Sequence, residues 1–565
     1  MTLTPASRLA GQLLHAMIRR GLTDVIVCPG ARSQALVVAA LQFEAEGLLR
    51  VHVRIDERVA GFTALGLALE TGRPAAIITT SGSALAHLFP AVLEAHHAGV
   101  GMILLTADRP SELHGIGANQ VTTQKDFFGE FVRASLDIDA PTDEWPDAEM
   151  VDEMVREGLS RAPGPVHFNL AFREPLSGGR WIPDAANPQP LTPLQPSTDA
   201  PVALPLTITR GPRTLVVAGT GAGAAAEETA HAGGWPLIAE VSSGARFGRN
   251  VIPAYRAVLR TSESVQKVER IVIYGHPTLS REVPDLIANA PEGCEIIVVD
   301  SGASEVYNPG HRVTAVISRA DVDAGEPSAD DREWFSQWMS AGHSAHAAWL
   351  DRYVAANPSQ AAPNVELARS TDVGDMREFA RTELAASRSA VTRELLVDAL
   401  WRASWPHDRL VLGASRLIRV ADRILPGKKI PVFANRGLAG IDGTIATASG
   451  IALASGALTR VLLGDLAALH DAGAMLFGPL EQRPRIHVFV ANDGGGTIFD
   501  SLELVDQVSP ELVDRGFYTP HGANFAALAQ AYGWSHTRVE TVAELERALT
   551  ASPEVAHLIE VVIAR

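Results

Sequence analysis

The stretch from Leu458 to Phe499 constrains the fold more than any other part of the chain. It reads LTRVLLGDLAALHDAGAMLFGPLEQRPRIHVFVANDGGGTIF, with one apolar run ending at Gly464-Asp465 and a second, 485–491, ending at Asn492. The residues between the two runs have helical apolar spacing, so the pattern predicts a strand, a helix over 466–480, and a second strand. A right-handed crossover of this kind places both strand ends at one edge of a parallel sheet.

Asp465 and Asn492 are therefore expected to converge at that edge. A carboxylate, an amide oxygen and a nearby backbone carbonyl suit magnesium, which completes its shell with water and substrate phosphates. The glycines beside both residues would let backbone N–H groups approach a diphosphate. The stretch thus predicts a site for a divalent cation and a diphosphate. The alternative is an ordinary βαβ unit whose turns happen to hold an Asp and an Asn.

The same stretch resembles the binding motif of the thiamine-diphosphate (ThDP) enzyme family, Gly-Asp-Gly followed by a crossover and Asn-Asn. Leu466 replaces the second Gly, and Ala491 replaces the first Asn. The resemblance implies that Mg²⁺, or Mn²⁺ in its place, is held by Asp465, Asn492 and the backbone carbonyl of Gly494. It further implies cofactor contacts from Gly464, Leu466 and Ala467.

Length and composition indicate a soluble, multidomain enzyme-sized protein. A chain of 565 residues is too long for one core, and 46% hydrophobic with 20% charged residues is typical of globular proteins. The net charge of −17 disfavours nucleic acid and anionic membranes as partners. We find neither a signal peptide nor an apolar run of about 20 residues that could span a membrane. Cys28 and Cys294, each in an apolar run, are expected to be buried free thiols, which suits a cytoplasmic location.

Strand and helix patterns alternate along three segments of the chain. They predict three doubly wound, parallel-sheet α/β domains, over 1–180, 213–345 and 391–565. A Pro-rich linker, 181–212, and a polar helical connection, 346–390, separate them. This is the layout of ThDP-dependent decarboxylases and synthases, so the resemblance implies a pyrimidine-binding, a central and a diphosphate-binding domain.

A glycine-rich turn in the second segment admits two interpretations. Gly219–Ala224 follows a predicted strand and Glu240 comes some twenty residues later, which matches a loose dinucleotide-binding fingerprint. The functional interpretation is NAD or FAD in the central domain. The other is a tight strand-to-helix turn that needs small residues, and we favour it because the family resemblance implies a central domain without a nicotinamide.

Glu57 is the predicted catalytic acid. ThDP performs the carbanion chemistry itself but needs one protein carboxyl group hydrogen-bonded to its aminopyrimidine ring. Glu57 ends a predicted strand and matches the family's glutamate, and the Gly- and Ala-rich helix after it favours close packing. The resemblance adds cofactor contacts from Pro29 and Thr80, and from Ile441 as the large aliphatic residue beneath the cofactor.

Five further segments resemble one branch of the family, the MenD synthases: CPGARSQAL (28–36), TADRPSELHGIGANQVTTQ (106–124), LGASRLIR (412–419), FANRGLAGIDG (433–443) and GGGTIFDSLE (494–503). This branch implies a transferase of menaquinone biosynthesis. Its substrates would be 2-oxoglutarate, which is decarboxylated, and isochorismate, which receives the succinyl-semialdehyde unit. Its subunits would pair as a homodimer, or assemble as a tetramer, with the cofactor bridging the first domain of one subunit and the third domain of the other.

Both implied substrates carry two carboxylates, and planar guanidinium groups bind carboxylates bidentately. The predicted substrate-binding arginines lie in turn or strand-end motifs and are Arg32, Arg109, Arg281, Arg419 and Arg436. Further predicted contacts are polar for Ser33, Asn119, Gln120 and Ser415, and apolar for Ile498, Phe499 and Leu502.

Other functions remain open at this point. An acetolactate synthase or a 2-oxoacid decarboxylase of the same family would need fewer carboxylate-binding arginines. A nicotinamide-dependent oxidoreductase would use the turn at Gly219 together with Glu240. A non-catalytic scaffold would have no reason to keep Glu57, Asp465 and Asn492 together.

Overall fold

The computed structural model describes residues 2–160, 164–182, 204–300, 305–323, 325–358, 364–501, 507–551 and 555–565. Within these residues the chain forms three α/β domains in series, each built on a parallel sheet. This confirms the predicted fold class. No helix in the described residues is long and apolar enough to cross a membrane. Cys28 and Cys294 are both buried and free, as expected.

The first domain has six strands: β1 (Asp24–Val27), β2 (Arg50–Val53), β3 (Ala75–Thr79), β4 (Met102–Asp108), β5 (Ala134–Ile138) and β6 (Pro165–Ala171). Its helices are α1 (Pro5–Arg19), α2 (Gln34–Ala45), α3 (Glu57–Thr71), α4 (Phe89–His97) and α5 (Ala148–Leu159). The sheet order is β2-β1-β3-β4-β6-β5. Strands β1, β3, β4 and β6 are buried along their whole length, because helices cover both faces of the sheet.

The central domain has the strands β7 (Leu206–Thr209), β8 (Thr214–Ala218), β9 (Leu237–Ala239), β10 (Arg270–Tyr274), β11 (Glu295–Val299), β12 (Ala315–Ile317) and β13 (Ala320–Asp323). Its helices are α6 (Ala224–Gly233), α7 (Tyr255–Thr261) and α8 (Glu282–Ala288). The main sheet order is β12-β11-β10-β8-β9, and β13 pairs separately with β7. Strand β7 thus lies inside the range expected to be a linker, because its partner is distant in sequence and no local pattern reveals the pairing.

Three helices connect the central domain to the third: α9 (Ala329–Ala356), α10 (Val365–Arg369) and α11 (Val373–Arg388). Helix α9 begins at a capping box in which the Ser328 side chain accepts a hydrogen bond from the Asp331 N–H and the Asp331 side chain reaches back. It crosses the domain boundary expected at residue 345, because it packs on α7 of the central domain before it reaches the third.

The third domain has the strands β14 (Arg409–Leu412), β15 (Val432–Phe433), β16 (Thr459–Gly464), β17 (Ile486–Asn492), β18 (Ser535–Val539) and β19 (Ala556–Val562). Its helices are α12 (Arg393–Ala403), α13 (Arg416–Ile424), α14 (Thr444–Ser455), α15 (Asp465–His470), α16 (Pro510–Val513), α17 (Phe525–Ala531) and α18 (Val542–Thr550). The sheet order is β15-β14-β16-β17-β19-β18, so β16 and β17 are neighbours, as predicted. The predicted helix over 466–480 is wrong in length: α15 ends at His470, and Gly473 and Gly478-Pro479 prevent its continuation.

Helices α3 and α14 join the first and third domains of the same chain. Their surfaces belong to one hydrophobic core that includes both sheets. Gly66 of α3 lies against the backbone of Thr447, and Gly450 of α14 lies against the backbone of Thr63, so that a Cβ atom at either glycine would overlap a carbonyl oxygen. The Gly- and Ala-rich composition of α3 therefore serves this close helix contact, as the sequence suggested.

We expect Gly66→Ala to destabilise this domain contact by about 2–3 kcal/mol, because the added methyl group meets backbone atoms that cannot turn away. Calorimetry should show a lower melting temperature for the variant. The matched control is Gly325→Ala, where a Cβ atom would meet no heavy atom within 4 Å. Equal melting temperatures for the two variants would contradict the packing argument.

Candidate functional site

The two predicted metal-binding side chains lie together at the carboxyl edge of the third sheet. Gly464 of β16 is in register with Ala491 of β17, so Asp465 and Asn492 follow neighbouring strand ends. The loop after Asn492 folds back over this edge, and the Gly495 N–H donates to Asp465 Oδ2 at 2.9 Å. The predicted convergence of these two strand ends is confirmed.

The oxygen atoms at this edge suit a hard divalent cation. Asn492 Nδ2 donates to Glu560 Oε1 at 2.7 Å, which fixes the amide and leaves its oxygen toward the loop at Gly494. Burial raises the pKa of Asp465, and the neighbouring charge of Asp493 raises it further. A bound cation would offset both effects. A carboxylate, an amide oxygen and a backbone carbonyl fit the ligand preference of magnesium.

Two side chains that sequence reasoning missed, one imidazole and one guanidinium group, each contact an oxygen of a predicted metal ligand. His521 Nε2 lies 3.1 Å from Asp465 Oδ2. Arg565 donates to the carbonyl oxygen of Gly494 at 3.0 Å and also pairs with Asp514. Both residues are distant in sequence from the glycine-rich loop and belong to no motif, so only the fold reveals them.

A cavity of about 140 Å³ lies beside this edge of the third sheet. It is formed by the carboxyl ends of β14 and β16 and by the loop after β17. Its lining includes eight of the predicted residues, namely Ser415, Ile441, Gly464, Asp465, Leu466, Ala467, Ile498 and Phe499. Arg393, which pairs with Asp493, also lines it and was not predicted. Leu502 lies outside the described residues.

Every described residue that lines this cavity belongs to the third domain. Glu57 is the first residue of α3, where Asp56 caps the helix by accepting from the Arg58 and Val59 N–H groups. Arg58 donates to the carbonyl oxygen of His470, the last residue of α15, at 2.9 Å. Asp465, the predicted metal ligand, is the first residue of that helix. Within one chain, Glu57 and Asp465 therefore lie near opposite ends of α15.

The other predicted cofactor residues of the first domain lie at the carboxyl edge of its sheet. Pro29 comes two residues after the end of β1 and is exposed, and Thr80 directly follows β3. The turn at Gly30 packs so closely on Thr80 that a Cβ atom there would overlap the threonine side chain. The first domain therefore carries Pro29, Glu57 and Thr80 just after the carboxyl ends of its strands, and none of the three lines the small cavity of the third domain.

Two of the predicted arginines, Arg32 and Arg436, are each influenced by the positive charge of another predicted arginine. Burial lowers the pKa of Arg32, and the charge of Arg109 lowers it further. Burial also lowers the pKa of Arg436. The negative charge of Glu240 raises this pKa, and the positive charge of Arg419 lowers it further. In the described residues none of these four forms an ion pair with a carboxylate, and neither does Arg281, which is exposed at the start of α8. Unpaired guanidinium groups in a protein of net charge −17 suit anionic ligands.

The polar residues around Arg109 form one hydrogen-bonded group. Arg109 Nη1 donates to the hydroxyl of Ser81, which in turn donates to the carbonyl oxygen of Gln120 at 3.0 Å. Gln120 has a left-handed backbone, with φ of 59°, which is costly for a residue other than glycine and is often found at functional sites. Asn119 beside it is exposed. Ser81 was not predicted; its only sequence signal is its position just after β3.

Ser33 and Ser415 hold backbone turns in place beside the arginines. The buried Ser33 hydroxyl donates to the Gly30 carbonyl oxygen at 3.1 Å. The Ser415 carbonyl oxygen accepts from Arg419 Nη1 at 2.8 Å. Arg436 lies farther from the small cavity, on the wall of a larger one of about 870 Å³ between the three domains.

The glycine-rich turn of the central domain favours the packing interpretation. A Cβ atom at Gly219 would overlap the backbone of Pro277, so glycine is required there by close packing. In a dinucleotide site Glu240 would have to accept a hydrogen bond from a ribose hydroxyl. It is 0% exposed and accepts hydrogen bonds from the N–H groups of Thr278 and Leu279 instead. The acid that a dinucleotide site needs is therefore engaged by the protein itself.

Comparison with known proteins agrees with this geometry. Residues 8–129 match the family model described as thiamine pyrophosphate enzyme, N-terminal TPP binding domain. A protein of Leifsonia xyli subsp. xyli is 50% identical, over 99% of this chain and 97% of that protein. Proteins of Clavibacter michiganensis subsp. michiganensis and Kineococcus radiotolerans are 49% and 42% identical, over 99% and 100% of this chain and 97% of each protein. All three are named 2-succinyl-5-enolpyruvyl-6-hydroxy-3-cyclohexene-1-carboxylate synthase.

Proposed function

The chain belongs to the 2-succinyl-5-enolpyruvyl-6-hydroxy-3-cyclohexene-1-carboxylate synthase family of thiamine diphosphate enzymes, and from this membership we propose its reaction. The enzyme decarboxylates 2-oxoglutarate and adds the remaining four-carbon unit to isochorismate, as a step of menaquinone biosynthesis in the cytoplasm. The observation that carries the substrate assignment is the set of arginines without carboxylate partners. Two substrates with two carboxylates each would satisfy such a set.

The residues of the third domain would hold the cofactor's diphosphate end. Asp465, Asn492 and the Gly494 carbonyl would bind Mg²⁺ or Mn²⁺, and Gly464, Leu466 and Ala467, which line the cavity, would contact the cofactor. ThDP, when bound, supplies the electron sink for decarboxylation and carbon–carbon bond formation. Ile441, which is 40% exposed at the cavity, is free to support the cofactor there.

The carboxyl group of Glu57 would share a proton with the ring nitrogen of the cofactor's aminopyrimidine. Arg32 and Arg109 from the first domain would bind one set of carboxylates, and Arg419 and Arg436 from the third domain the other. Ile498 and Phe499 would keep water from the reacting carbon, which protects it from simple protonation.

We propose that the working unit is at least a homodimer with two shared sites. The described residues that line the cavity beside Asp465 all belong to the third domain, and Glu57 of the same chain lies near the opposite end of α15. A second subunit, related by a two-fold axis, would bring its own Glu57 to this cavity. By the same symmetry, Glu57 of the first subunit would complete the cavity of the second. An interface of this kind buries catalytic groups and is expected to be large.

The direct test of the function is an assay with both substrates. Purified protein with ThDP and magnesium should consume isochorismate only when 2-oxoglutarate is present, and mass spectrometry should identify the joined product. Omission of ThDP or addition of a chelator should stop the reaction. Turnover of pyruvate with no turnover of 2-oxoglutarate would instead favour an acetolactate synthase or 2-oxoacid decarboxylase. Activity that depends on NAD would favour an oxidoreductase.

Single Arg→Ala variants at Arg32, Arg109, Arg419 and Arg436 are expected to divide between the two substrates. Loss of one charge-assisted contact should raise KM for one substrate about 10- to 100-fold, because the other substrate uses other arginines. The matched control is Arg423→Ala, one turn along α13 from Arg419, whose side chain already pairs with Glu394. If all four variants keep normal kinetics with both substrates, the arginines do not bind them.

A further inference from the structure

Arg436 lies where the three domains of one chain meet. It follows β15 of the third domain and is 4% exposed. Its Nη2 donates to both oxygens of Thr278 in the central domain, at 3.0 Å to the carbonyl and 2.8 Å to Oγ1. Its Nε and Nη1 are buried and have no protein acceptor in the described residues. The protein thus holds Nη2, while Nε and Nη1 have hydrogen-bonding capacity that no described protein atom uses. Arg436 also lines the larger cavity between the three domains.

The Thr278 segment is itself held by a buried carboxylate. Glu240, at the end of β9, accepts from the Thr278 N–H at 3.2 Å and from the Leu279 N–H at 2.7 Å. It is 0% exposed, so these backbone groups satisfy it in place of water. The turn that presents Thr278 to Arg436 therefore depends on Glu240.

The backbone that follows Arg436 is held by the first domain. Glu94 of α4 accepts from the Gly437 N–H at 2.6 Å and from the Leu438 N–H at 2.8 Å. Glu94 is 4% exposed, and a Cβ atom at Gly437 would press on its backbone carbonyl. Two buried carboxylates from two other domains thus fix the backbone on both sides of the arginine contact.

We propose that Thr278, Glu240 and Glu94 are positioning residues that hold the Arg436 guanidinium group in place for a substrate carboxylate. The inference rests on the proposed role of Arg436 in substrate binding. An arginine side chain has many rotamers, and holding one of them before the substrate arrives lowers the entropic cost of binding. These residues act on substrate affinity through Arg436 and do not touch the reacting atoms.

A double-mutant cycle tests the proposal. Thr278→Val keeps the shape and the backbone carbonyl but removes the Oγ1 acceptor, and it should raise KM for one substrate about five- to tenfold with little change in kcat. Thr278→Ser, which keeps the hydroxyl, should restore KM. In an Arg436→Ala background, Thr278→Val should have no further effect, because the group that Thr278 positions is gone.

Glu240→Gln, which replaces one acceptor by a donor, should raise KM for the same substrate.

The control is Thr214→Val, which removes a buried hydroxyl of the same domain that donates only to the carbonyl oxygen of Pro212. It should leave KM unchanged. Independent, multiplicative effects of Thr278→Val and Arg436→Ala would overturn the positioning role while leaving the proposed function of Arg436 intact. Normal kinetics in Arg436→Ala with both substrates would overturn the role of Arg436 in binding, and the positioning role with it.

Discussion

Glu57→Gln is expected to lower turnover at least about a hundredfold while leaving the fold and ThDP affinity close to normal. The amide has the size of the carboxyl group but cannot share its proton with the aminopyrimidine ring. Glu57 begins α3, whose packing and capping by Asp56 do not depend on its own side chain. Steady-state kinetics, calorimetry with ThDP and the melting temperature together check the result. Near-normal turnover would remove Glu57 from the catalytic role.

Mixing two inactive proteins extends this experiment to the assembly. Glu57→Gln and Asp465→Ala subunits are mixed under conditions that exchange subunits, with exchange shown by a mass tag. If each site combines Glu57 of one subunit with Asp465 of the other, a mixed dimer has one intact site, and about a quarter of the normal activity should return. If both residues act within one chain, no site is intact in any dimer. Exchange without recovered activity would therefore refute the shared site.

The second large effect concerns the metal. Asp465→Ala is expected to weaken magnesium-dependent ThDP binding about a hundredfold. Magnesium binds few protein oxygens, and of the three proposed ligands, Asp465, Asn492 and the Gly494 carbonyl, only Asp465 carries a charge. Asn492→Ala should act in the same direction but less strongly, since it removes a neutral oxygen. Titration calorimetry with ThDP, with and without magnesium, measures both.

The control for these variants is Asp398→Ala, which removes a carboxylate of the same domain that pairs with Arg402. It should bind ThDP normally. Unchanged affinity and unchanged magnesium dependence in Asp465→Ala would show that the metal, if present, is held elsewhere. A loss of the fold would be visible in the melting temperature, and Asp465→Asn, which keeps an oxygen ligand, then provides the milder comparison.

Local patterns predicted the neighbouring strands β16 and β17 well, and the connections poorly. The ends of β16 and β17 could be predicted because apolar runs stop at Asp465 and Asn492, and a parallel crossover brings such ends together. The helix over 466–480 was predicted too long because its apolar spacing continues past glycines that end the real helix. Strand β7 was missed because it pairs with a distant strand.

The same limit explains the site residues that were missed. His521 and Arg565 contact the predicted residues from segments whose own patterns carry no signal, and Ser81 has only its position just after β3. Glu240 had a signal, but its sequence context suggested a ribose partner rather than the backbone of Thr278 and Leu279. A motif indicates which residue types converge; the partners that orient them are set by the tertiary fold.

The contact between Gly66 and Gly450 has an evolutionary consequence. The atoms that a new side chain would strike are backbone atoms, at Thr447 on one helix and at Thr63 on the other. A substitution in an ordinary core can be compensated when a neighbouring side chain becomes smaller, but backbone cannot become smaller. No single second change can therefore rescue a larger residue at either glycine. We therefore expect these two positions to tolerate substitution less than the rest of α3 and α14, unless the spacing of the whole helix pair changes.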